Sequence, residues 1–385
     1  MIPYGHQQID QSDIDAVVGV LRSDFITQGP AVPRFEEALA GRCGARYAVA
    51  VNSGTSALHV ACMALGLGPG DALWTVPNTF VASANCARYC GADVDFVDID
   101  PDTWNISVPA LREKLTRAKR EHKLPKVLVP VHFAGQPVEQ EAIWELAQEF
   151  GFKVLEDAAH SLGGSRNGEP VGSCRWSHIA ILSFHPVKII TTAEGGMGLT
   201  NDEELAWRMA MLRTHGITRE RSRMTAEPEG RWSYEQLALG YNYRMTDLQA
   251  ALGLSQLSRL AENVERRNQI AARYDTLLRE LPLRLPKVQQ QNRSAFHLYV
   301  IRLDMDRMGR SYREVFEAML DQGVGVNLHY TPVHLQPYYR KLGFGPQTCP
   351  EAERHGREAL SLPIFPGLTE AQQDHVTAAV ARALS

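Results

Sequence analysis

The sequence predicts an α/β fold with a mostly parallel sheet, followed by a smaller α+β unit. In the first 250 residues, short apolar runs alternate with segments of helical periodicity. These apolar runs lack polar alternation, which is typical of strands that helices cover on both faces. The pattern then changes to a long helical stretch. Because 385 residues exceed one typical core, we predict a large domain (1–250) and a small C-terminal domain (251–385).

The large domain contains seven predicted strands, most of them separated by helical segments. They are YAVAV (47–51), ALWTVP (72–77), DVDFVDI (93–99), KVLVPVHF (126–133), KVLEDA (153–158), HIAILSF (178–184) and GMGLT (196–200). In this class of fold, ligands bind beyond the carboxyl ends of the strands. We therefore expect the functional residues at those ends.

The C-terminal part begins with helical periodicity from about Thr246 to Leu281, which LPLRLPK then interrupts. A strand (295–303), a helix (312–323) and a closing helix from Glu370 follow. Thr369 and Gln372 have the spacing of a capping box, which fixes the start of that last helix.

The composition excludes several classes of protein. Apolar residues make up 44% and charged residues 22%, and the net charge of −4 gives no attraction to nucleic acid or to anionic membranes. No apolar run approaches the roughly 18 residues of a membrane span. The N-terminus has neither the basic start nor the apolar core of a secretory signal. The six scattered cysteines lack a CxxC pair, as expected for reduced thiols in a cytoplasmic protein.

One lysine stands apart in the segment SFHPVKIITTAEGGMG (183–198). The chain has eight lysines, and Lys188 is the only one between Lys153 and Lys287. Apolar surroundings remove hydration from an ammonium group and lower its pKa, so Lys188 is a candidate nucleophile. The alternative is a lysine that extends from a strand end into solvent.

Three other segments place polar or aromatic groups after predicted strands. Gly54, Thr55 and Ser56 can bind an anion at a helix N-terminus, or they can simply cap that helix. Asp157 can be a metal ligand, a general base or the partner of a ring nitrogen. Phe80 can stack on a planar ring or enter the core.

Together these four features match the requirements of pyridoxal phosphate. That cofactor needs a lysine for a Schiff base, an acid for its pyridine nitrogen, a phosphate site and an aromatic group over its ring. Asp157 and Lys188 are separated by one strand and its connections, so neighbouring strands can bring both to one cofactor. The combination predicts pyridoxal 5′-phosphate.

A resemblance to a known family is carried by segments over nearly the whole chain. They are IPYGHQQID, SDFITQGPAVPRFEEALA, VNSGTSALHVA, DIDPDTWNI, LEDAAHSLGG, SFHPVKIITTAEGGMG, GYNYRMTDLQAALGLSQL and NLHYTPVHLQPYY. The sequence resembles the sugar aminotransferases of the DegT/DnrJ/EryC1/StrS family, which have the pyridoxal phosphate-dependent fold type I of aspartate aminotransferase. One departure is Ala193, where the family pattern TTGEGG has glycine.

The resemblance implies a role for each matching residue. Lys188 would be the catalytic lysine and Asp157 the partner of the pyridine nitrogen. Asn242 would reach the cofactor of a partner subunit, so a homodimer is implied. The expected cofactor-binding residues are Gly54, Thr55, Ser56, Phe80, Asp157, His160, Ser183, Lys188 and Asn242. The expected substrate-binding residues are Tyr4, Asp24, Phe25, Ile26, Thr27, Ser53, Asn327, Leu328, His329 and Tyr330.

The implied activity is a transamination from L-glutamate to C4 of a nucleotide-linked 4-keto sugar. SFHPVK and HYTPVH most resemble the branch that makes UDP-4-amino-4,6-dideoxy-N-acetyl-β-L-altrosamine for pseudaminic acid biosynthesis. The alternatives are the D-xylo epimer of the bacillosamine and legionaminic acid routes, a dTDP-sugar, or a non-catalytic pyridoxal phosphate-binding protein. Dehydrating branches carry histidine in place of Lys188, so this lysine favours transamination.

A metal site is the remaining alternative. His215, His329 and His334 have no tight ligand spacing and no adjacent carboxylates, so we expect none. The basic run RTHGITRERSRM can meet a pyrophosphate or form a solvated loop.

Overall fold

The computed structural model describes residues 1–385 and confirms the predicted α/β fold with a mostly parallel sheet. The strands are β1 (Tyr47–Val51), β2 (Ala72–Thr75), β3 (Asp93–Phe96), β4 (Val127–Val129), β5 (Lys153–Asp157), β6 (Ser165–Arg166), β7 (Glu169–Pro170), β8 (Ile179–Ser183), β9 (Gly196–Thr200), β10 (Ile217–Thr218), β11 (Glu235–Gln236), β12 (Leu283–Arg284), β13 (Asn292–Arg293), β14 (Tyr299–Leu303) and β15 (Ala359–Leu362).

Thirteen α-helices accompany these strands. They are α1 (Gln11–Leu21), α2 (Ala31–Cys43), α3 (Gly54–Ala64), α4 (Ala82–Tyr89), α5 (Val108–Arg120), α6 (Gln140–Phe150), α7 (Glu203–Leu212), α8 (Asp247–Leu257), α9 (Leu260–Leu277), α10 (Tyr312–Asp321), α11 (Pro337–Arg340), α12 (Pro350–Glu358) and α13 (Glu370–Leu384). None combines the length and apolar character needed to cross a bilayer.

The central sheet has seven strands in the order β1-β9-β8-β5-β4-β2-β3. β3, β2, β4, β5 and β8 are parallel, whereas β9 runs antiparallel to both β8 and β1. The carboxyl ends of β1, β2, β5 and β8 therefore lie at one edge of the sheet. These ends carry the groups expected to bind a ligand: Gly54 to Ser56 after β1, Phe80 after β2, Asp157 at the end of β5 and Lys188 after β8.

A second core lies in the C-terminal part, where β14 pairs with β12 and β15. The helix α9 joins the two cores, because Leu260 and Val264 pack with the large sheet while Ile270 and Tyr274 pack with the small one. The N-terminus also attaches to the C-terminal part, since the amide of Ile2 donates at 2.8 Å to the carbonyl of Gly323, just after α10. The domain division at residue 250 stays a prediction.

Several predicted elements are shorter in the structure for local reasons. The predicted strand 126–133 ends at Val129, because Pro130 follows and lacks an amide donor. The helical stretch from Thr246 divides into α8 and α9 at Ser258. The predicted strand 295–303 starts only at Tyr299. The capping box of Thr369 and Gln372 is confirmed.

The close approach of β9 to the start of α3 depends on one glycine. A Cβ atom on Gly196 would overlap the carbonyl oxygen of Ser53 and lie 2.7 Å from the amide nitrogen of Gly54. No such crowding exists at Gly41 in α2, where an added Cβ meets no atom within 4 Å.

We expect Gly196→Ala to lower the free energy of unfolding by about 1–3 kcal/mol, because the added methyl group displaces backbone at the start of α3. Gly41→Ala is the matched control, and it should raise that free energy by about 0.5–1 kcal/mol through helix propensity. Urea-induced unfolding of both variants measures the difference. Equal stability of Gly196→Ala and the wild type would contradict the packing described for β9.

Candidate active site

A cavity of about 530 Å³ opens at the carboxyl edge of the central sheet. Its walls come mainly from the carboxyl ends of β1, β2, β4, β5 and β8, from the N-terminal arm around Tyr4 and from the segment Asn327 to Tyr330. The lining residues are Tyr4, Ser53, Gly54, Thr55, Leu58, Thr79, Phe80, Ala82, Ser83, Val131, Asp157, Ala159, His160, Ile181, Ser183, His185, Val187, Lys188, Glu194, His297, Asn327, Leu328, His329 and Tyr330.

Lys188 extends into this cavity from the turn that follows β8. Burial lowers the pKa of its amine to about 8, although the nearby Asp157 carboxylate acts in the opposite direction. Its single hydrogen-bonding neighbour is Nε2 of His297, 3.5 Å from Nζ. With this pKa, about a tenth of the amine is unprotonated at pH 7 and about half at pH 8, far more than for an ordinary lysine, as a nucleophile or a proton carrier requires.

Asp157 ends β5, which is the strand adjacent to β8. Its side chain is buried, and Oδ2 accepts a hydrogen bond of 2.6 Å from the hydroxyl of Ser83. The amide of Ala159 donates to Oδ1 at 3.2 Å. The hydroxyls of Ser83 and Thr79 lie 2.9 Å apart, so a short polar chain fixes this carboxylate at the cavity wall.

The N-terminus of α3 forms another part of the cavity wall. Ser53 caps the helix, since its hydroxyl accepts from the amide of Ser56 at 3.0 Å. A Cβ on Gly54 would lie 2.9 Å from Cβ of Ser183, so the glycine lets these two segments close on each other. Free amides and the hydroxyls of Thr55 and Ser183 at a helix N-terminus are suited to an anion such as a phosphate.

Neutral histidines surround the lysine. Burial and the charge of Lys188 lower the pKa of His160 well below its usual range, and they lower that of His329 to about 3. The phenol oxygen of Tyr330 lies 3.3 Å from Nε2 of His160. The ring centroids of His160 and His297 are 4.4 Å apart. These uncharged rings offer hydrogen bonds without adding positive charge beside the amine.

The structure brings most of the predicted site residues together but leaves three groups outside the cavity. Ser56 is buried away from the cavity, and its hydroxyl donates to Oδ1 of Asn52 at 2.7 Å. Asn242 lies next to this segment, because its carbonyl accepts from the Asn52 side chain at 3.5 Å. The segment Asp24 to Thr27 lies on the surface, with Phe25 54% exposed.

Sequence reasoning missed five polar residues of the cavity. They are Thr79, Ser83, His185, Glu194 and His297. Ser83 follows Thr79 by four residues, which is about one helical turn. Two hydroxyl side chains at this spacing on one helix face are the sequence signal that could have indicated a polar wall. His297 precedes β14, where the sequence shows only an apolar strand.

Ala193 takes the conformation that a glycine would adopt more readily, with φ of 64°. The hydroxyl of Thr191 accepts from the Ala193 amide at 3.0 Å and donates to the carbonyl of Phe184 at 3.0 Å. The turn beside the cavity is therefore held by side-chain contacts in spite of the alanine.

The residues present fit pyridoxal phosphate. The cavity holds an amine, a buried carboxylate on the adjacent strand and a helix N-terminus suited to an anion. Phe80 also lines the wall and is 59% exposed. The buried Nδ1 atom of His160 has no hydrogen-bonding partner, which leaves one polar group for a ligand. No three His, Cys, Asp or Glu side chains are arranged to hold a metal ion. His334, for example, bonds to Glu353 at 3.0 Å.

Comparison with known proteins gives one consistent result. The model of the DegT/DnrJ/EryC1/StrS aminotransferase family matches residues 7–381. The spore coat polysaccharide biosynthesis protein SpsC of Bacillus subtilis is 39% identical over 98% of this chain and 96% of its own length. The UDP-4-amino-4,6-dideoxy-N-acetyl-β-L-altrosamine transaminase of Campylobacter jejuni is 38% identical over 94% of this chain and 92% of its own.

Two solved structures extend this similarity to the fold. PseC of Helicobacter pylori, an aminotransferase involved in pseudaminic acid biosynthesis, superposes with a TM-score of 0.90 at 29% identity, over 100% of this chain and 99% of that one. Spr1654 of Streptococcus pneumoniae in its PLP-form superposes with a TM-score of 0.87 at 27% identity, over 100% of both chains.

We expect Ser83→Ala to weaken the binding of pyridoxal phosphate about tenfold, because the Asp157 carboxylate loses its 2.6 Å hydrogen bond. Fluorescence titration of the full chain with the cofactor measures the dissociation constant. Ser177→Ala removes another buried serine hydroxyl outside the cavity and is the matched control. Equal cofactor affinity in the two variants would show that Ser83 does not support Asp157.

Proposed function

The chain belongs to the DegT/DnrJ/EryC1/StrS aminotransferase family, and on this basis we propose that it is a pyridoxal phosphate-dependent nucleotide-sugar aminotransferase. It would move the amino group of L-glutamate to C4 of UDP-2-acetamido-2,6-dideoxy-β-L-arabino-hex-4-ulose. The product would be UDP-4-amino-4,6-dideoxy-N-acetyl-β-L-altrosamine, in pseudaminic acid biosynthesis. The observation that carries the proposal is the position of Lys188, with a pKa of about 8, beside Asp157 in one cavity.

Each requirement of the cofactor has a residue in the cavity. Lys188 would hold the aldehyde carbon and Asp157 would face the pyridine nitrogen. The helix N-terminus at Gly54 and Thr55, with Ser183, would bind the phosphate. His160 and Phe80 would lie against the ring. Spr1654 in its PLP-form supports this assignment, since its fold matches the whole chain.

Bound pyridoxal phosphate would supply an electron sink that lets an amino group pass between an amino acid and a ketone. The protein's part is to place groups and move protons. Nζ of Lys188 can take up and return a proton near neutral pH, because burial has brought its pKa to about 8. Asp157, held by Ser83, keeps a negative charge where a positive ring nitrogen would be stabilised.

The sugar side of the cavity would be formed by Tyr4, Ser53 and the segment Asn327 to Tyr330. Tyr4 comes from the N-terminal arm, and its ring lies 5.5 Å from that of His329. The similarity to the Campylobacter jejuni transaminase supports a UDP-linked 4-keto sugar. The second candidate is another nucleotide 4-keto sugar, such as the D-xylo epimer. The 39% identity to SpsC, a protein of spore coat polysaccharide biosynthesis, shows that the similarity of this chain is not restricted to the altrosamine transaminase.

We further propose a homodimer in which the partner subunit completes each cavity. Phe25 and Ile26 expose 54% and 52% of their surface, and Trp232 and Leu239 each expose 72%. Large apolar side chains that remain this exposed are typical of an interface between subunits. In such a dimer, the segment Asp24 to Thr27 and Asn242 would reach the partner's cavity.

Replacement of Lys188 tests the enzyme assignment. We expect Lys188→Ala to abolish the release of 2-oxoglutarate from L-glutamate, because the cavity loses its only amine. Its melting temperature should not fall below that of the wild type, because the variant no longer buries an ammonium group. Lys153→Ala, an exposed lysine at the start of β5, is the matched control and should keep wild-type turnover. Substantial transamination by Lys188→Ala would contradict the proposal and would favour another base.

Competing sugars test the substrate. The enzyme is supplied with L-glutamate and pyridoxal phosphate together with either the L-arabino or the D-xylo UDP-4-keto-6-deoxy-N-acetylhexosamine. We expect at least tenfold faster release of 2-oxoglutarate with the L-arabino epimer, which corresponds to about 1.4 kcal/mol in transition-state stabilisation. Preference for the D-xylo epimer would instead establish the second candidate. No reaction with either sugar would contradict both.

A further inference from the structure

We propose that His297 is a positioning residue for Lys188: its Nε2 atom accepts a hydrogen bond from the lysine amine and so directs the lone pair of Nζ into the cavity. The two nitrogens are 3.5 Å apart, and Nζ has no other hydrogen-bonding neighbour in the structure. A free amine has two N–H bonds and one lone pair. When one N–H bond is directed at the imidazole, the lone pair is left for a ligand. This inference rests on the proposed role of Lys188, whatever sugar the enzyme accepts.

The charge state of His297 suits an acceptor. The ring is buried, and burial lowers its pKa well below the usual range. The positive charges of Lys188 and Arg267, with His160 and His329, act in the same direction. A neutral imidazole carries one hydrogen, so Nε2 can accept only if that hydrogen is on Nδ1. The proposal therefore assigns the ring hydrogen to Nδ1, a buried atom with no hydrogen-bonding partner in the protein, and leaves Nε2 as the acceptor for the amine.

Several contacts hold the backbone around His297. Nη1 of the buried Arg267 donates to the carbonyls of Phe296 at 3.0 Å and of His297 at 3.3 Å. Phe296 has φ of 43°, a left-handed conformation that a phenylalanine rarely adopts. A Cβ on Gly135 would lie 2.7 Å from the Phe296 nitrogen and 2.9 Å from the His297 nitrogen. Such strain persists where the surroundings impose it, often at functional sites.

Arg267, Phe296 and Gly135 share one property: each constrains the backbone at His297. Arg267 and Gly135 both contact the backbone of Phe296 and His297, and Phe296 itself has a left-handed conformation. None of them contacts the cavity through a reactive group of its own, because Phe296, Arg267 and Gly135 are absent from its lining. These contacts hold the backbone that carries the His297 side chain, and this side chain is the one group of the segment that lines the cavity beside Lys188.

The experiment measures the reactivity of Lys188 in the full-length protein freed of cofactor. Potassium cyanate carbamoylates the unprotonated amine, and peptide mass spectrometry measures the extent at Lys188 across a pH series. We expect a wild-type midpoint near pH 8, since burial lowers the pKa of this amine to about 8 against the opposing charge of Asp157. A second readout is the rate at which the same protein takes up pyridoxal phosphate, followed by absorbance.

In His297→Phe, more of the Lys188 amine should be unprotonated, yet the protein should take up the cofactor more slowly. The midpoint should fall by about one pH unit, because the lost acceptor had favoured the ammonium form. Cofactor uptake should nevertheless slow about tenfold, because the free amine is no longer oriented. His297→Gln keeps an acceptor oxygen and should restore both values to near those of the wild type. His375→Phe, an exposed histidine that contacts the Gln322 carbonyl, is the matched control.

An unchanged labelling midpoint in His297→Phe would overturn the proposal, as would a His297→Gln variant that behaves like His297→Phe. The melting temperature of each variant shows whether it is folded. A wild-type midpoint near the ordinary lysine value of 10.5 would contradict the role of Lys188 itself. Failure of the proposed function is thereby distinguished from failure of the inference about His297.

Discussion

The site depends on one constraint: the amine of Lys188 is buried and has no salt bridge. The pKa of Lys188 falls from 10.5 to about 8, which corresponds to roughly 3 kcal/mol of lost stabilisation of its charged form. A direct ion pair would restore the charge and remove the free amine. The structure avoids this, because the carboxylate of Asp157 is engaged by Ser83 and the nearest partner of Nζ is a neutral histidine.

The topology of the sheet explains why such different groups meet in one cavity. β5 and β8 are adjacent and parallel, so Asp157 and the turn that carries Lys188 leave the sheet at the same edge. β9 runs antiparallel between β8 and β1, which brings the start of α3 against Ser183. The anion-binding and amine-bearing walls are therefore fixed by strand order, and loops only orient the side chains.

The sequence allowed prediction of the features that depend on local pattern. The apolar runs indicated the parallel sheet, and the isolation of Lys188 indicated a special lysine. Contacts between distant residues could not be predicted in this way. Ser83 and Asp157 are 74 residues apart, and Lys188 and His297 are 109 residues apart. His297 also owes its direction to Arg267 and to a left-handed Phe296, neither of which leaves a periodic signal.

We propose that the cofactor attaches to Lys188. The most direct measurement is reduction of the holoenzyme with borohydride, followed by peptide mass spectrometry to locate the phosphopyridoxyl group. We expect this group on Lys188 alone among the eight lysines. Recovery of the group on another lysine, or of no modified peptide from protein that binds the cofactor, would contradict it.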